Sequence, residues 1–137
     1  MSIDFYGDPG NPLAIVIRAS AKIYGIEFYS PEHFPQQLGL MTRPEGYEVL
    51  PHIHNSIRRT ISETQEVLVI RNGRCEISLF GTTNIVQQKI TLEKGDVILL
   101  AHGGHGIRML TECEILEVKQ GPFVGAIDKT HFLSPDL

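Results

Sequence analysis

The sequence predicts an all-β domain, and three observations lead to that prediction. Short runs rich in Val, Ile, Leu and aromatic residues follow one another closely, with turn-forming residues between them. Thirteen Gly and eight Pro are available for those turns. Almost no stretch repeats its apolar residues at the period of a helix, and the one helical start, Ser30-Pro31-Glu32, is ended by Pro35.

Ten segments are expected to form strands, each a run of β-branched or other apolar residues close to a turn signal. In chain order they are Leu13–Arg18, Lys22–Tyr29, Leu38–Arg43, Tyr47–Ile53, Gln65–Arg71, Arg74–Phe80, Ile85–Leu92, Asp96–Ala101, His105–Leu110 and Cys113–Lys119.

The Asn72-Gly73 pair is the strongest turn signal in the chain, because a two-residue hairpin turn needs positive φ at both central residues. A hairpin about this turn opposes Ile70 to Cys75 and places alternate side chains on one face. The face expected to point to the core holds Glu66, Leu68, Ile70, Cys75, Ile77 and Leu79. Glu66 then points inward, and a buried carboxylate is costly unless it is paired, protonated or bound to a metal.

Two strand-borne histidines stand in the pattern His52-Ile53-His54, at the end of the predicted strand Tyr47–Ile53. Residues i and i+2 of a strand face the same side about 7 Å apart, so two imidazoles can converge on one ion. Exposed histidine pairs are also common, so this pattern alone leaves a surface pair open.

A third histidine, His105, follows a glycine-rich turn. A hairpin across Thr111-Glu112 would pair its strand with the strand Cys113–Lys119 and place His105 on an apolar face. Three imidazoles and one carboxylate suit a borderline divalent metal, and ligand type alone does not choose among Fe, Mn, Ni, Co and Zn.

These residues form two motifs that resemble those of the cupin superfamily. The first motif is Gly46, then His52-Ile53-His54, then Glu66 with six residues between it and Gly73; the second, GDVILLAHGGH, begins at Gly95 and ends at His105. The resemblance covers roughly residues 41–119, with an unusually long spacer of eleven residues between His54 and Glu66.

The resemblance implies a double-stranded β-helix, or jelly-roll barrel, as a single domain over residues 1–137. It also implies a homodimer and one divalent metal ion inside each barrel, with His52, His54, Glu66 and His105 as ligands. Glu63 and His102 compete for two of these places. Glu66 is preferred for its spacing to Gly73 and its inward register, and His105 because it begins the next strand.

The long spacer carries Arg58 and Arg59, which could hold a carboxylate or phosphate of a substrate, although a solvated loop that makes surface or dimer ion pairs is the preferred explanation. His102 is a further candidate for substrate binding. The C-terminal stretch EVKQGPFVGAIDKTHF resembles small bacterial cupins found among surface-polysaccharide and sugar-nucleotide enzymes. That resemblance implies a sugar isomerase or epimerase; a non-catalytic sugar- or metal-binding module and an Fe(II)-dependent dioxygenase are the alternatives.

Composition excludes other classes. A chain of 137 residues folds to about 7,000 Å² of surface, enough for one core. The net charge of −4, with no basic cluster beyond Arg58-Arg59, argues against nucleic acid as a partner. No apolar run is long enough to cross a bilayer, and the N-terminal residues lack the pattern of a secretion signal. Two cysteines make no disulfide framework, so we expect a cytoplasmic protein that acts on a small molecule.

Overall fold

The structure, a computed structural model, describes residues 2–137, and nearly all of its regular structure is β. Its strands are β1 Ile3–Asp8, β2 Asn11–Ile17, β3 Gly25–Phe28, β4 Gly39–Thr42, β5 Glu66–Asn72, β6 Arg74–Gly81, β7 Gln88–Glu93, β8 Val97–Leu100, β9 Gly104–Met109 and β10 Glu114–Lys119. One 3₁₀ turn, Gly125–Asp128, follows β10. The prediction of an all-β protein is confirmed.

The strands form three antiparallel sheets, with the orders β1-β2-β8-β5-β10, β7-β6-β9 and β3-β4. The five-stranded and three-stranded sheets pack face to face, because alternate side chains of their strands are apolar and bury one another. This inner core contains Ala14, Val16, Leu68, Ile70, Cys75, Ile77, Leu79, Ile90, Leu92, Ile98 and Leu100. Over residues 2–137 the sheets do not close into a barrel, and no helix is long and apolar enough to span a membrane.

The outer face of the five-stranded sheet has a smaller core of its own. Phe34 covers Ile15 and Leu99 there, and Tyr29 and Leu38 pack against the same cluster. Tyr29 and Leu38 directly flank the β3-β4 hairpin, whose innermost pair is Phe28 and Gly39. The hairpin is therefore rooted on the face of the sheet that points away from the inner core.

Nine of the ten predicted strands overlap observed ones, but the prediction of a strand at Tyr47–Ile53 is wrong. Residues 43–64, which we call the arm, connect β4 to β5 with no strand at all, and every one of them is exposed. Pro44 and Pro51 remove backbone donors, and no neighbouring strand of the same chain runs beside the arm. The sequence analysis also missed β1, whose Ile3 and Phe5 alternate as a strand should.

The chain turns at Gly73, whose φ is +84°, but Asn72 ends β5 without a positive φ, so the predicted two-residue hairpin turn and its pairing of Ile70 with Cys75 are both wrong. Strand β5 pairs with β8 and β10, whereas β6 pairs with β7 and β9, so the turn carries the chain from one sheet to the other. Because the chain crosses between the sheets here, the apolar side chains of β5 and β6 are buried together in the inner core. The predicted faces are confirmed, because Leu68, Ile70, Cys75, Ile77 and Leu79 all lie in the inner core.

The predicted pairing of the His105 strand with the strand Cys113–Lys119 is also wrong. Strand β9 pairs with β6, and β10 pairs with β5, so each is the last strand of a different sheet. The inward orientation of His105 nevertheless holds, because it lies opposite Leu79 of the inner core. The prediction that His105 points inward is thus correct, although the predicted pairing of its strand is wrong.

Candidate functional site

Glu66 and His105 face each other from the two packed sheets. Glu66 begins β5 and lies opposite Leu100, on the face that carries the inner core. His105 lies in β9 opposite Leu79. The distance from His105 Nε2 to Glu66 Oε2 is 3.8 Å, and both side chains are partly buried, with 31% and 18% of their surfaces exposed. Two of the four residues predicted as metal ligands are therefore neighbours.

Charged groups around this pair change both pKa values. Burial raises the pKa of Glu66, and the negative charge of Glu117 raises it further, while Lys119 and Lys129 partly oppose the shift. Burial lowers the pKa of His105, as does the positive charge of Lys129, and Glu117 acts in the opposite direction. The environment thus favours the neutral form of both side chains, and a neutral imidazole keeps a lone pair for an ion or a proton.

Glu66 and His105 open into a cavity of about 510 Å³. Its walls come from β5, β6, β9, β10 and the C-terminal segment. The lining residues are Glu66, Phe80, Gly103, Gly104, His105, Gly106, Ile107, Glu117, Lys129, Thr130, His131, Phe132, Ser134 and Leu137. The cavity combines two aromatic rings with carboxylates, imidazoles and an ammonium group.

The C-terminal segment is held in place over this cavity. The ring of Phe132 meets that of Phe80 edge to face, with centroids 5.0 Å apart. Gly104 permits this contact, since a Cβ there would lie 2.8 Å from the Phe132 ring. Lys119 Nζ reaches Asp128 Oδ2 at 3.3 Å. The C-terminal segment is therefore held in place and forms one wall of the cavity.

The sequence analysis missed Glu117, Lys129 and His131 as lining residues of this cavity. The sequence could have indicated that Glu117 points inward, because it lies on the same face of β10 as Ile115. In the structure Glu117 is opposite Leu68 of the inner core. No comparable signal existed for Lys129 and His131, since their approach depends on how the irregular C-terminal segment folds back.

His52 and His54 lie together on the arm, apart from the other two predicted ligands. Their rings meet edge to face with centroids 5.2 Å apart, and His52 Nδ1 donates to the carbonyl oxygen of Leu50 at 2.8 Å. Both are exposed. Over the described residues 2–137, no group of three or more His, Cys, Asp and Glu side chains is placed to hold a metal ion. The predicted ligand set is thus divided into two pairs.

The donor types fit a borderline divalent metal, but the number of donors in either pair does not. Catalytic metal sites use about three protein ligands with one position left open. Glu66 and His105 supply one oxygen ligand and one nitrogen ligand, while His52 and His54 supply two nitrogens elsewhere. Neither pair alone supplies the three protein ligands of such a site.

The three predicted substrate-binding residues lie away from the Glu66–His105 cavity. Arg59 lines a groove of about 680 Å³ together with Glu63 and His33, where the end of the arm lies against residues 32–37. His102 lines a neighbouring cavity of about 220 Å³, and its Nε2 donates to the carbonyl oxygen of Asn11 at 3.1 Å. Arg58 is exposed on the arm.

Comparisons with models of protein families, with curated proteins and with solved structures found no match to this chain.

Proposed function

We propose that this protein is a divalent-metal-dependent enzyme of the cupin type that binds a small oxygenated substrate in the Glu66–His105 cavity. A sugar or sugar nucleotide is the proposed substrate, and isomerisation or epimerisation the proposed reaction. The observation that carries the proposal is the 3.8 Å approach of Glu66 and His105 from facing sheets into one cavity. We propose a double-stranded β-helix as the detailed fold. Strands β5, β8 and β10 lie in the five-stranded sheet, and β6 and β9, which come between them in the chain, lie in the three-stranded sheet.

The cavity has the size and lining that a sugar requires. Ligand pockets measure about 300–1,000 Å³ and combine apolar walls with a few polar groups that fix orientation. Phe132, which is 47% exposed and packs against the buried ring of Phe80, offers an apolar surface to the C–H groups of a sugar ring. Glu117, Lys129 and His131 offer hydrogen-bond partners for hydroxyl groups, and the ammonium group of Lys129 suits a negatively charged substituent.

The proposed metal is one of Fe, Mn, Ni, Co and Zn, with Glu66 and His105 as two of its ligands and His52 and His54 as the others once the arm reaches the cavity. A metal bound there would supply Lewis acidity toward a carbonyl or hydroxyl group. The chain's own residues have separate tasks. The two phenyl rings exclude water, Lys129 orients the substrate, and Glu117 and His131 can exchange protons with its hydroxyl groups.

A pair of matched variants tests the proposed metal site. Glu66→Gln keeps the shape of the side chain but removes its charge, so cobalt affinity should fall about tenfold or more. Glu63→Gln is the control, because Glu63 lies in the groove beside Arg59 and not in the cavity. Cobalt titration by calorimetry is the measurement. Normal binding by Glu66→Gln with loss in Glu63→Gln would overturn the assignment.

A non-catalytic sugar-binding module is the second candidate, and the division of the ligand set favours it. If the cavity works without a metal, sugar binding should be unchanged by a chelator and no product should form. Equilibrium dialysis of a sugar panel with and without the chelator, followed by product analysis, separates the two functions. Product formation that the chelator abolishes favours the enzyme.

A further inference from the structure

We infer that two copies of this chain exchange arms, so that His52 and His54 of one copy join Glu66 and His105 of the other. The exchange is inferred from the exposed surfaces of the arm and of β9, and its consequence for metal binding rests on the proposed function. A two-fold symmetric pair would then hold two equivalent composite sites.

The arm has an apolar surface that its own chain leaves largely uncovered. Its six large apolar side chains each expose between 43% and 86% of their surface: Tyr47, Val49, Leu50, Ile53, Ile57 and Ile61. An exposed apolar surface of this extent marks an interaction site. Over residues 2–137 no hydrogen bond joins the arm to the rest of the chain.

The arm is nevertheless shaped by contacts within itself. Tyr47 N donates to the carbonyl oxygen of Pro44 at 3.2 Å, closing a turn in which Gly46 has a φ of +82°. The guanidinium group of Arg43 lies 4.5 Å from the centre of the Tyr47 ring. A segment that keeps its own turn while exposing its apolar residues is suited to dock on another surface.

The edge of β9 is the surface that fits this arm. Strand β9 ends the order β7-β6-β9, so within the described chain the backbone groups along its second edge face no other strand. This edge carries His105, and Ile107 and Met109 beside it are 39% and 52% exposed. Adding an extended segment to an open sheet edge satisfies its backbone groups. The segment Tyr47–Ile53, with its strand-like sequence, His52 near its end and His54 directly after it, is the proposed addition.

The root of the arm favours a second copy as the recipient. Arm residues 59–63 lie against residues 32–37, and Phe34 of that segment covers the outer face of the five-stranded sheet. The β3-β4 hairpin, from which the arm departs, is rooted on the same outer face. The Glu66–His105 cavity opens between the sheets, on the inner face. The arm thus begins at the end of a largely exposed hairpin whose other end packs on the outer face, and it finishes beside residues 32–37 on that same face.

The exposed surface has the size that an exchanged dimer requires. The chain exposes 9819 Å², against about 7,000 Å² for a compact protein of 15.3 kDa. The excess is about 2,800 Å² per chain. Obligate dimers bury about 2,000–5,000 Å² in total, so two such chains have enough surplus surface for an obligate interface.

Complementation between two inactive variants tests the exchange. The first variant, His52→Ala/His54→Ala, has a defective arm, and the second, Glu66→Gln/His105→Ala, has a defective cavity. Each alone should bind cobalt at least tenfold more weakly than the original protein. The two are coexpressed with different tags, and the mixed dimer is purified through both tags.

If the arms exchange, each mixed dimer contains one intact site and one doubly defective site. We expect one tightly bound cobalt ion per mixed dimer, which is half the content of the original dimer. If each arm served its own chain, both sites of the mixed dimer would be defective. A mixed dimer without tightly bound cobalt, beside an original protein that binds it, would overturn the inference.

A second experiment decides the exchange without using a metal. Leu50→Asp/Ile53→Asp places charges on the arm, and Ile127→Asp/Leu133→Asp places them on side chains of similar exposure in the C-terminal segment. Sedimentation should show the original protein and the C-terminal variant as dimers, and the arm variant as a monomer whose dimer dissociation constant is raised at least 100-fold. A monomeric original protein, or an arm variant as dimeric as the original, would overturn the exchange.

The two experiments separate failure of the exchange from failure of the proposed function. A dimer that depends on the arm but takes up no cobalt refutes the metal site and supports the exchange. A protein that binds cobalt as a monomer refutes the exchange and supports the metal site.

Discussion

Asp96 joins several segments of the chain through its carboxylate. Its carboxylate accepts hydrogen bonds from Ala19 N at 2.9 Å, Glu93 N at 2.8 Å and Arg18 Nη1 at 3.2 Å. It is 8% exposed, so water replaces these donors poorly. Arg18 also reaches Asp4 at 3.1 Å. This network connects β1, the end of β2 and the turn before β8.

Replacing Asp96 with Ala should therefore lower the free energy of unfolding by about 2–4 kcal/mol, because Arg18 and two backbone donors lose their acceptor. Glu114→Ala is the control. Its ion pair with Arg71 spans 3.3 Å but both side chains are about 60% exposed, and such pairs contribute about 0–1 kcal/mol. Urea unfolding of both variants is the measurement. Equal losses would show that the Asp96 network contributes no more than an exposed pair.

Cys75 and Cys113 lie close together but differ in reactivity. Cys75 is fully buried in the inner core, and burial raises the pKa of its thiol to about 11, with the Cys113 thiol adding to the shift. Cys113 is only partly buried, and its Sγ donates to the carbonyl oxygen of Arg74 at 3.0 Å. Since the thiolate is the reactive species, Cys75 should be inert in the folded protein.

Iodoacetamide at pH 8 should accordingly label the native protein at Cys113 alone, and label Cys75 only after unfolding. Peptide mass spectrometry of both samples is the measurement. Labelling of Cys75 in the native protein at the rate of Cys113 would contradict the buried placement.

Side-chain parity was the part of the site that the sequence could predict. Glu66 points inward because it shares its face with Leu68 and Ile70, and that rule needs only the alternation of a strand. His131 and Lys129 could not be found this way. Their place at the cavity depends on a folded-back segment with no period, fixed by the contact of Phe132 with Phe80.

At the scale of elements, the connection between β5 and β6 shows where strand pairing escapes prediction. The Asn-Gly pair predicts a positive φ at both residues, but only Gly73 has one, and Asn72 stays in β5 as the chain passes into the other sheet. In this protein the β9-β10 connection lies against the turn, and the position of a Gly73 Cβ would overlap the carbonyl oxygen of Glu112 and the Cα of Cys113. The choice between hairpin and crossing is thus made by a distant segment, which local sequence does not contain.

Gly73→Ala should destabilise the protein by about 2–4 kcal/mol, because strain at a φ of +84° is joined by this overlap with backbone. Gly46→Ala isolates the strain, since Gly46 has a φ of +82° and no atom near its Cβ position. The control should lose only about 1 kcal/mol. Thermal unfolding of the two variants gives the comparison, and a loss for Gly46→Ala as large as that for Gly73→Ala would refute the close approach.

At the scale of the whole molecule, the arm explains why the four residues predicted as metal ligands lie in two separate pairs. Strand-like residues around His52 and His54 predict a strand, yet a strand forms only beside a partner edge, and sequence does not say which chain supplies that edge. The eleven residues between His54 and Glu66 were the signal, because the spacer lets the two pairs of ligands sit far apart. The remaining nine predicted strands had partners in the same chain and formed.

The most direct test of the whole account is the X-ray absorption spectrum of the cobalt-loaded protein, which counts imidazole ligands around the ion. If the arm brings His52 and His54 to His105 and Glu66, the spectrum should show three imidazole nitrogens with at least one oxygen at about 2.0–2.2 Å. The variant His52→Ala/His54→Ala, loaded at high cobalt, should show one imidazole. A single imidazole in the original protein would contradict the account, because the arm would then have no part in the site.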